Sequence, residues 1–103
     1  MIKINGVKWR VLLVPPFHPG LYKNGNIFAL GCCDFSSQII YISKDVRHKH
    51  LKKVICHELV HAIVFSYGIE MDAESEEIMA NLIASHGQEI LDMADKIIKR
   101  EIP

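Results

Sequence analysis

His57-Glu58-Leu59-Val60-His61 is the stretch that decides how this chain is read. It spells H-E-x-x-H within an apolar run from Leu51 to Val64, and the spacing of that run predicts a helix. On a helix, residues four apart lie one turn apart on the same face. Two imidazoles placed in this way can each present a nitrogen to one tetrahedral zinc ion. Glu58 follows the first histidine directly and falls beside that metal, where a carboxylate can take a proton from water. One reaction, metal-assisted hydrolysis, accounts for three residue types at three fixed offsets. The alternative is a solvated surface helix that happens to carry two histidines and a glutamate. Leu51, Val54, Ile55, Leu59, Val60, Ala62, Ile63 and Val64 argue against it, because they predict a buried central helix. In such a helix the three polar side chains would be costly to bury without a partner. Gly68, just after Ser66-Tyr67, stands where the helix is expected to stop.

A catalytic zinc takes three protein ligands and leaves one position for water. The metzincin continuation of the motif is absent, since Val64 replaces its glycine and Tyr67 its histidine. The next candidates lie on a second helical run, residues 72–99, which opens with Glu70, Asp72, Glu74, Glu76 and Glu77. Acidic residues also complement the dipole at a helix N-terminus, which accounts for most of this cluster without a metal.

Within that run, Glu77-Ile78-Met79-Ala80-Asn81-Leu82-Ile83-Ala84 resembles the glutamate helix of the gluzincin metallopeptidases. It is most similar to the E-x-x-A-N-x-F-A segment of the ImmA/IrrE family, which is common in phages and mobile elements. The resemblance implies a zinc cofactor held by His57, His61 and Glu77, with Glu58 as general base. It also implies a protein or peptide substrate and a role for Asn81 in orienting a zinc-bound imidazole. Glu76 competes for the ligand role, because it lies nearer the centre of the stripe formed by Met79, Ile83 and Ile90; the E-x-x-A-N register selects Glu77. His86 is a third alternative, as in SprT-like peptidases with a distal histidine, although its place on the apolar side of the helix predicts a packed core histidine. In gluzincins the strand before the active-site helix, here Gln38-Ile39-Ile40-Tyr41-Ile42, forms the rim of the cleft, with an open edge to which a peptide can add. Tyr41, Tyr67, His18 and His86 are the candidate oxyanion donors. The resemblance spans residues 27–85, and its sharp motifs cover only 57–61 and 77–84.

At 103 residues the chain is expected to form one zincin-like domain, with half its residues hydrophobic and a core that a metal would reinforce. The net charge is zero, but residues 1–53 hold nine Lys/Arg against two Asp/Glu, and residues 54–103 hold three against ten. The densest basic stretch, Lys44 to Lys53, is either a solvated face or a docking patch for an acidic protein or nucleic acid. The second possibility carries a rival reading, a zinc-stabilised interaction module without turnover. Glu58 argues against that rival, since a structural zinc needs no general base. No run of eighteen apolar residues predicts a membrane span, and the N-terminus reads as strand and turn rather than signal peptide, so the cytoplasm is the expected location. Cys32, Cys33 and Cys56 form no C-x-x-C pair and read as reduced apolar residues; Cys56 points about 100° away from His57 on the helix.

Along the chain, residues 2–14 predict a strand pair turned at Asn5-Gly6. Pro15 to Gly20 is a break, and the loop to Asn26, with a second Asn-Gly pair, is expected to be exposed. Strands are expected at 27–33 and 37–43, then helices at 45–67 and 72–99, with Gly87 marking a kink or break. Strands followed by two helices make an α+β domain, a small antiparallel or mixed sheet with an active-site helix and a glutamate helix. The apolar stripe of Ile90, Leu91, Met93, Ala94, Ile97 and Ile98 is expected to complete the core or, alternatively, to cover the cleft or form a dimer.

Overall fold

The chain begins with a hairpin, β1 (Ile2–Ile4) and β2 (Val7–Val14), turned at Asn5 and Gly6 with φ of 48° and 78°. Both turn residues occupy the left-handed region that a two-residue hairpin needs and that Asn-Gly supplies. In the computed structural model, which describes residues 1–23 and 27–102, there follow a 3₁₀ turn (Pro19–Leu21), β3 (Tyr22–Lys23), β4 (Ile27–Phe28), β5 (Gly31–Asp34), β6 (Ile39–Ser43), α1 (His48–Ser66) and α2 (Ala73–Glu101). Of the exposed loop expected between Gly20 and Asn26, residues 21–23 instead belong to the 3₁₀ turn and β3, with Leu21 fully buried, and residues 24–26 lie outside the described residues. The fold is α+β. One sheet runs β1-β2-β6-β5, with β2 and β6 parallel and the other neighbours antiparallel, and β3 and β4 form a separate small ladder.

The sheet corrects the expected cleft rim. The strand before α1, β6, is paired on both sides, by β2 and by β5. It carries Ile40 and Ile42 into the core and has no open edge. The edge beside α1 is β5. The single strand expected over 27–33 divides into β4 and β5 at Ala29-Leu30. There the backbone turns to other partners, Ala29 N–H donating to Leu21 C=O and Ser43 N–H to Leu30 C=O.

Helix α1 packs on the sheet through Ala62, with Leu51, Val54, Ile55 and Leu59 around it, against Trp9, Ile40 and Ile42. It is half-buried rather than central, with Ile63 and Phe65 exposed. It starts at His48, not Asp45, because a turn intervenes: Asp45 N–H donates to Ser43 Oγ and Val46 N–H to Ser43 C=O. At its end Gly68, with φ 61°, lets Ile69 N–H reach Val64 C=O and Gly68 N–H reach Phe65 C=O, a glycine-closed helix stop. Trp9 is fully buried and donates from Nε1 to Ser66 Oγ at 2.9 Å. Phe35 and Phe65 pack edge-on against its indole, and Asn5 Nδ2 donates to Ser66 C=O. The N-terminal hairpin thereby clamps the C-terminal turn of α1.

Helix α2 is capped by Asp72, whose Oδ1 accepts from Ser75 N–H at 2.7 Å, and it runs unbroken through Gly87 to Glu101. A helix of 29 residues is about 43 Å long, which dominates the 53 Å longest dimension of the molecule. Its first third lies against α1, with Ala80 fully buried between Val60 and Val64. Beyond Ser85 every described residue but Gly87 is exposed. The distal stripe, Ile90, Leu91, Met93, Ile97 and Ile98, therefore neither completes the core nor covers the cleft of its own chain.

Candidate metal centre

The first third of α2 is antiparallel to α1 and sets its acidic turn opposite the histidine pair. His57 Nε2 lies 2.8 Å from Glu77 Oε1, and His61 Nε2 lies 3.2 Å from Glu77 Oε2. One donor atom from each of His57, His61 and Glu77 falls within 4.8 Å of the others, so the three residues nominated as ligands converge on one locus. Tetrahedral zinc with bonds of about 2.0–2.1 Å holds its ligand atoms about 3.3 Å apart. The His61–Glu77 separation matches that spacing, and the His57–Glu77 separation, now at hydrogen-bond distance, would lengthen by about half an ångström around such an ion.

Glu76 has a different place. Its Oε2 contacts His61 Nδ1, the nitrogen facing away from the shared locus. The sequence ambiguity between the two glutamates resolves into two positions. Glu77 faces the Nε2 atoms and is half exposed, while Glu76, on the stripe that packs toward α1, is 19% exposed and holds the far side of one ring. A carboxylate on Nδ1 fixes the ring orientation and the tautomer that leaves Nε2 free to bind a metal. The resemblance assigns that orienting role to Asn81. Asn81 is exposed, and no hydrogen bond among the described residues joins it to either imidazole.

Glu58 is buried at 7% exposure and lies under the same locus. Burial raises its carboxyl above the ordinary glutamate range, opposed by the nearby His57, His61 and Lys23 and by the Cys33 thiol. Three carboxylates, Glu58, Glu76 and Glu77, thus meet two imidazoles. The excess of negative charge and the nitrogen–oxygen donor set fit a divalent cation such as zinc.

Several residues that the sequence does not mark shape this site. Gly31, on β5, has no room for a side chain: an added Cβ would stand 2.9 Å from Glu58 Cγ and 3.0 Å from Val54 Cγ1. Glycine there lets the edge strand press close against Glu58. Cys33, two residues on, donates from Sγ to Glu58 C=O at 3.2 Å, and burial, together with Glu58, pushes its thiol well above the ordinary range. A raised thiol is a packing cysteine, not a reactive one. All three cysteines are free, and Cys56 is not among the converging residues. Lys23, from β3, lines two cavities together with Glu58 and Glu77. No spacing rule links Lys23 to α1, so only the fold could bring it there.

The four candidate oxyanion donors fall elsewhere. Ile40 and Ile42 face α1, so Tyr41 between them faces the opposite side of the sheet, where its ring packs on His18 at 5.2 Å. His18 Nδ1 accepts from Gly20 N–H. Tyr67 caps α1 beyond the site and is exposed. His86 is not a core histidine: its side chain is 57% exposed and pairs with Glu89 at 3.0 Å.

The site opens into a cavity of about 420 Å³ between β5, α1 and α2, lined by Leu30, Gly31, Val54 and Ala84 beside the site residues. Among the described residues no helix is long and apolar enough to cross a membrane. Comparison of the chain with protein-family models, with curated proteins and with solved structures returns no match to any of them.

Proposed function

We propose that the chain is a small zinc-dependent endopeptidase of gluzincin type, similar to the ImmA/IrrE family, with His57, His61 and Glu77 as ligands and Glu58 as general base. The observation that carries this reading is the convergence of the two Nε2 atoms on Glu77, above a buried glutamate that a structural site would not need. Zinc bound there would supply a polarised carbonyl and a more acidic water. The chain's own residues do the rest. Glu58 takes the proton of the attacking water and returns it to the leaving amine. Burial raises the Glu58 carboxyl above its ordinary range, despite the cations beside it, and so favours its role as base. Glu76 holds His61 in the ligating orientation. A substrate main chain can pair with β5, whose outer edge borders the site through Gly31, Cys32 and Cys33.

The test has two parts. Protein purified without chelators should contain one zinc per chain, lost in both His57→Ala and His61→Ala. Glu58→Gln should keep zinc and fold yet lose hydrolysis of an unstructured protein substrate by about 10²–10⁴-fold. Zinc content insensitive to either histidine, or Glu58→Gln cleaving at the wild-type rate, would overturn the reading.

A further inference from the structure

The cavity beside the metal centre has a charge pattern that the hydrolytic reaction does not require. Its walls are aliphatic, from Leu30, Val54 and Ala84, and its rim carries Lys23, His50 and Lys53. Among the described residues, the only acidic ones lining it are Glu58 and Glu77, both members of the site. A divalent ion held at the centre would offset two of the three carboxylates of the site and leave Glu76, behind His61, set against the two lysines, a balance of one positive charge.

The placement of the lysines follows from the fold. His50, Lys53, Val54 and His57 stand at i, i+3, i+4 and i+7, so they share the face of α1 that looks into the cavity. Lys53 lies one turn before the ligand His57, with Cβ atoms about 5–6 Å apart, a spacing typical of i,i+4 neighbours. Lys23 comes from β3 on the other side and is close enough to act on the charge of Glu58. The other members of the basic stretch, Lys44, Arg47, Lys49 and Lys52, are exposed and do not line the cavity. The basic run therefore divides into a solvated face and two side chains, His50 and Lys53, turned toward the site.

We infer that this cavity selects an acidic side chain next to the scissile bond, a Glu or Asp whose stem lies against Leu30, Val54 and Ala84 and whose carboxylate meets Lys53 and Lys23. The inference names the substrate class for the peptidase reading above and rests on it for the word scissile, but the recognition is a binding property and can be tested without turnover. An aliphatic wall with a cationic rim suits a glutamate better than a bare anion, because stem and head are both satisfied. Placing a lysine or arginine in the same position sets like charges together.

The experiment measures binding of fluorescent hexapeptides to zinc-loaded Glu58→Gln protein, with Glu, Gln or Lys placed in turn at the two central positions. The Glu peptide should bind about three- to tenfold more tightly than the Gln peptide at one of the two positions, and the Lys peptide most weakly. Lys53→Glu, an exposed substitution that leaves the core untouched, should reverse the order, and added salt should flatten it. Equal binding of the three peptides, an order unchanged by Lys53→Glu, or tighter binding of a single-stranded oligonucleotide than of any peptide overturns the inference. Charge-dependent binding with no cleavage by wild-type protein leaves the acid-selective cavity standing and removes the peptidase reading, so the two failures are distinct.

Discussion

The C-terminal ends of the two helices are built from similar residues and meet opposite fates. The last turns of α1 carry Val64, Phe65 and Ser66, and three sequence-distant residues hold them: Trp9 through an indole hydrogen bond, Asn5 through its amide, and Phe35 through a ring stacked on Phe65 at 5.2 Å. The last four turns of α2 carry Ile90, Leu91, Met93, Ile97 and Ile98, and no tertiary element among the described residues covers them. Apolar spacing is present in both. The difference is the presence of a partner surface, and α2 outruns its partner because it is ten residues longer than α1. The candidate metal centre lies between these extremes, where the two helices face each other and β5 closes the third side.

The comparison can be broken most sharply at the clamp. Trp9→Ala should lower stability by about 3–5 kcal/mol, the cost of emptying a fully buried aromatic site and orphaning Ser66. Chemical denaturation measures it, and a loss under about 1 kcal/mol would mean the hairpin does not hold α1. A smaller effect is expected where the helices meet. Glu76→Ala should weaken zinc affinity about 10- to 100-fold, the usual consequence of freeing a ligating imidazole, while Glu77→Ala should cost more. Competition with a colorimetric chelator ranks the two, and a reversed ranking would exchange their roles. The smallest effect belongs to the uncovered end. Leu91→Ala should change stability by no more than about 0.5 kcal/mol in dilute protein, since an exposed leucine leaves no cavity. A loss of about 2 kcal/mol or more would show that the distal stripe is covered in solution.

Much of this molecule is legible in the order of its residues. The Asn5-Gly6 turn and the Gly68 stop are local: each depends on a backbone angle set within a few residues, and residue type reports such needs directly. The histidine pair and Glu58 are legible for the same reason, because helical periodicity alone places them on adjoining positions. Residue order falls short where a partner has to be known. His86 and Ile90 share the apolar face of α2, yet both are exposed, because spacing identifies a face but not what covers it. Gln38 to Ile42 reads equally well as an edge or an internal strand, and only the pairing with β2 and β5 makes β6 internal.

The sequence by itself determined the N-terminal hairpin, the two helices, the α+β order of the chain, and the candidate chemistry of His57, Glu58 and His61, all of which follow from short-range periodicity and residue chemistry. The tertiary structure alone separated Glu77, which faces the Nε2 atoms, from Glu76, which holds Nδ1 of His61, although they are neighbours in the chain. It alone pressed Gly31 against Glu58 and brought Lys23 to the same cavity. The physical reason is that adjacent residues on a helix point about 100° apart, so their roles are set by what each direction meets, and that depends on contacts across the whole fold.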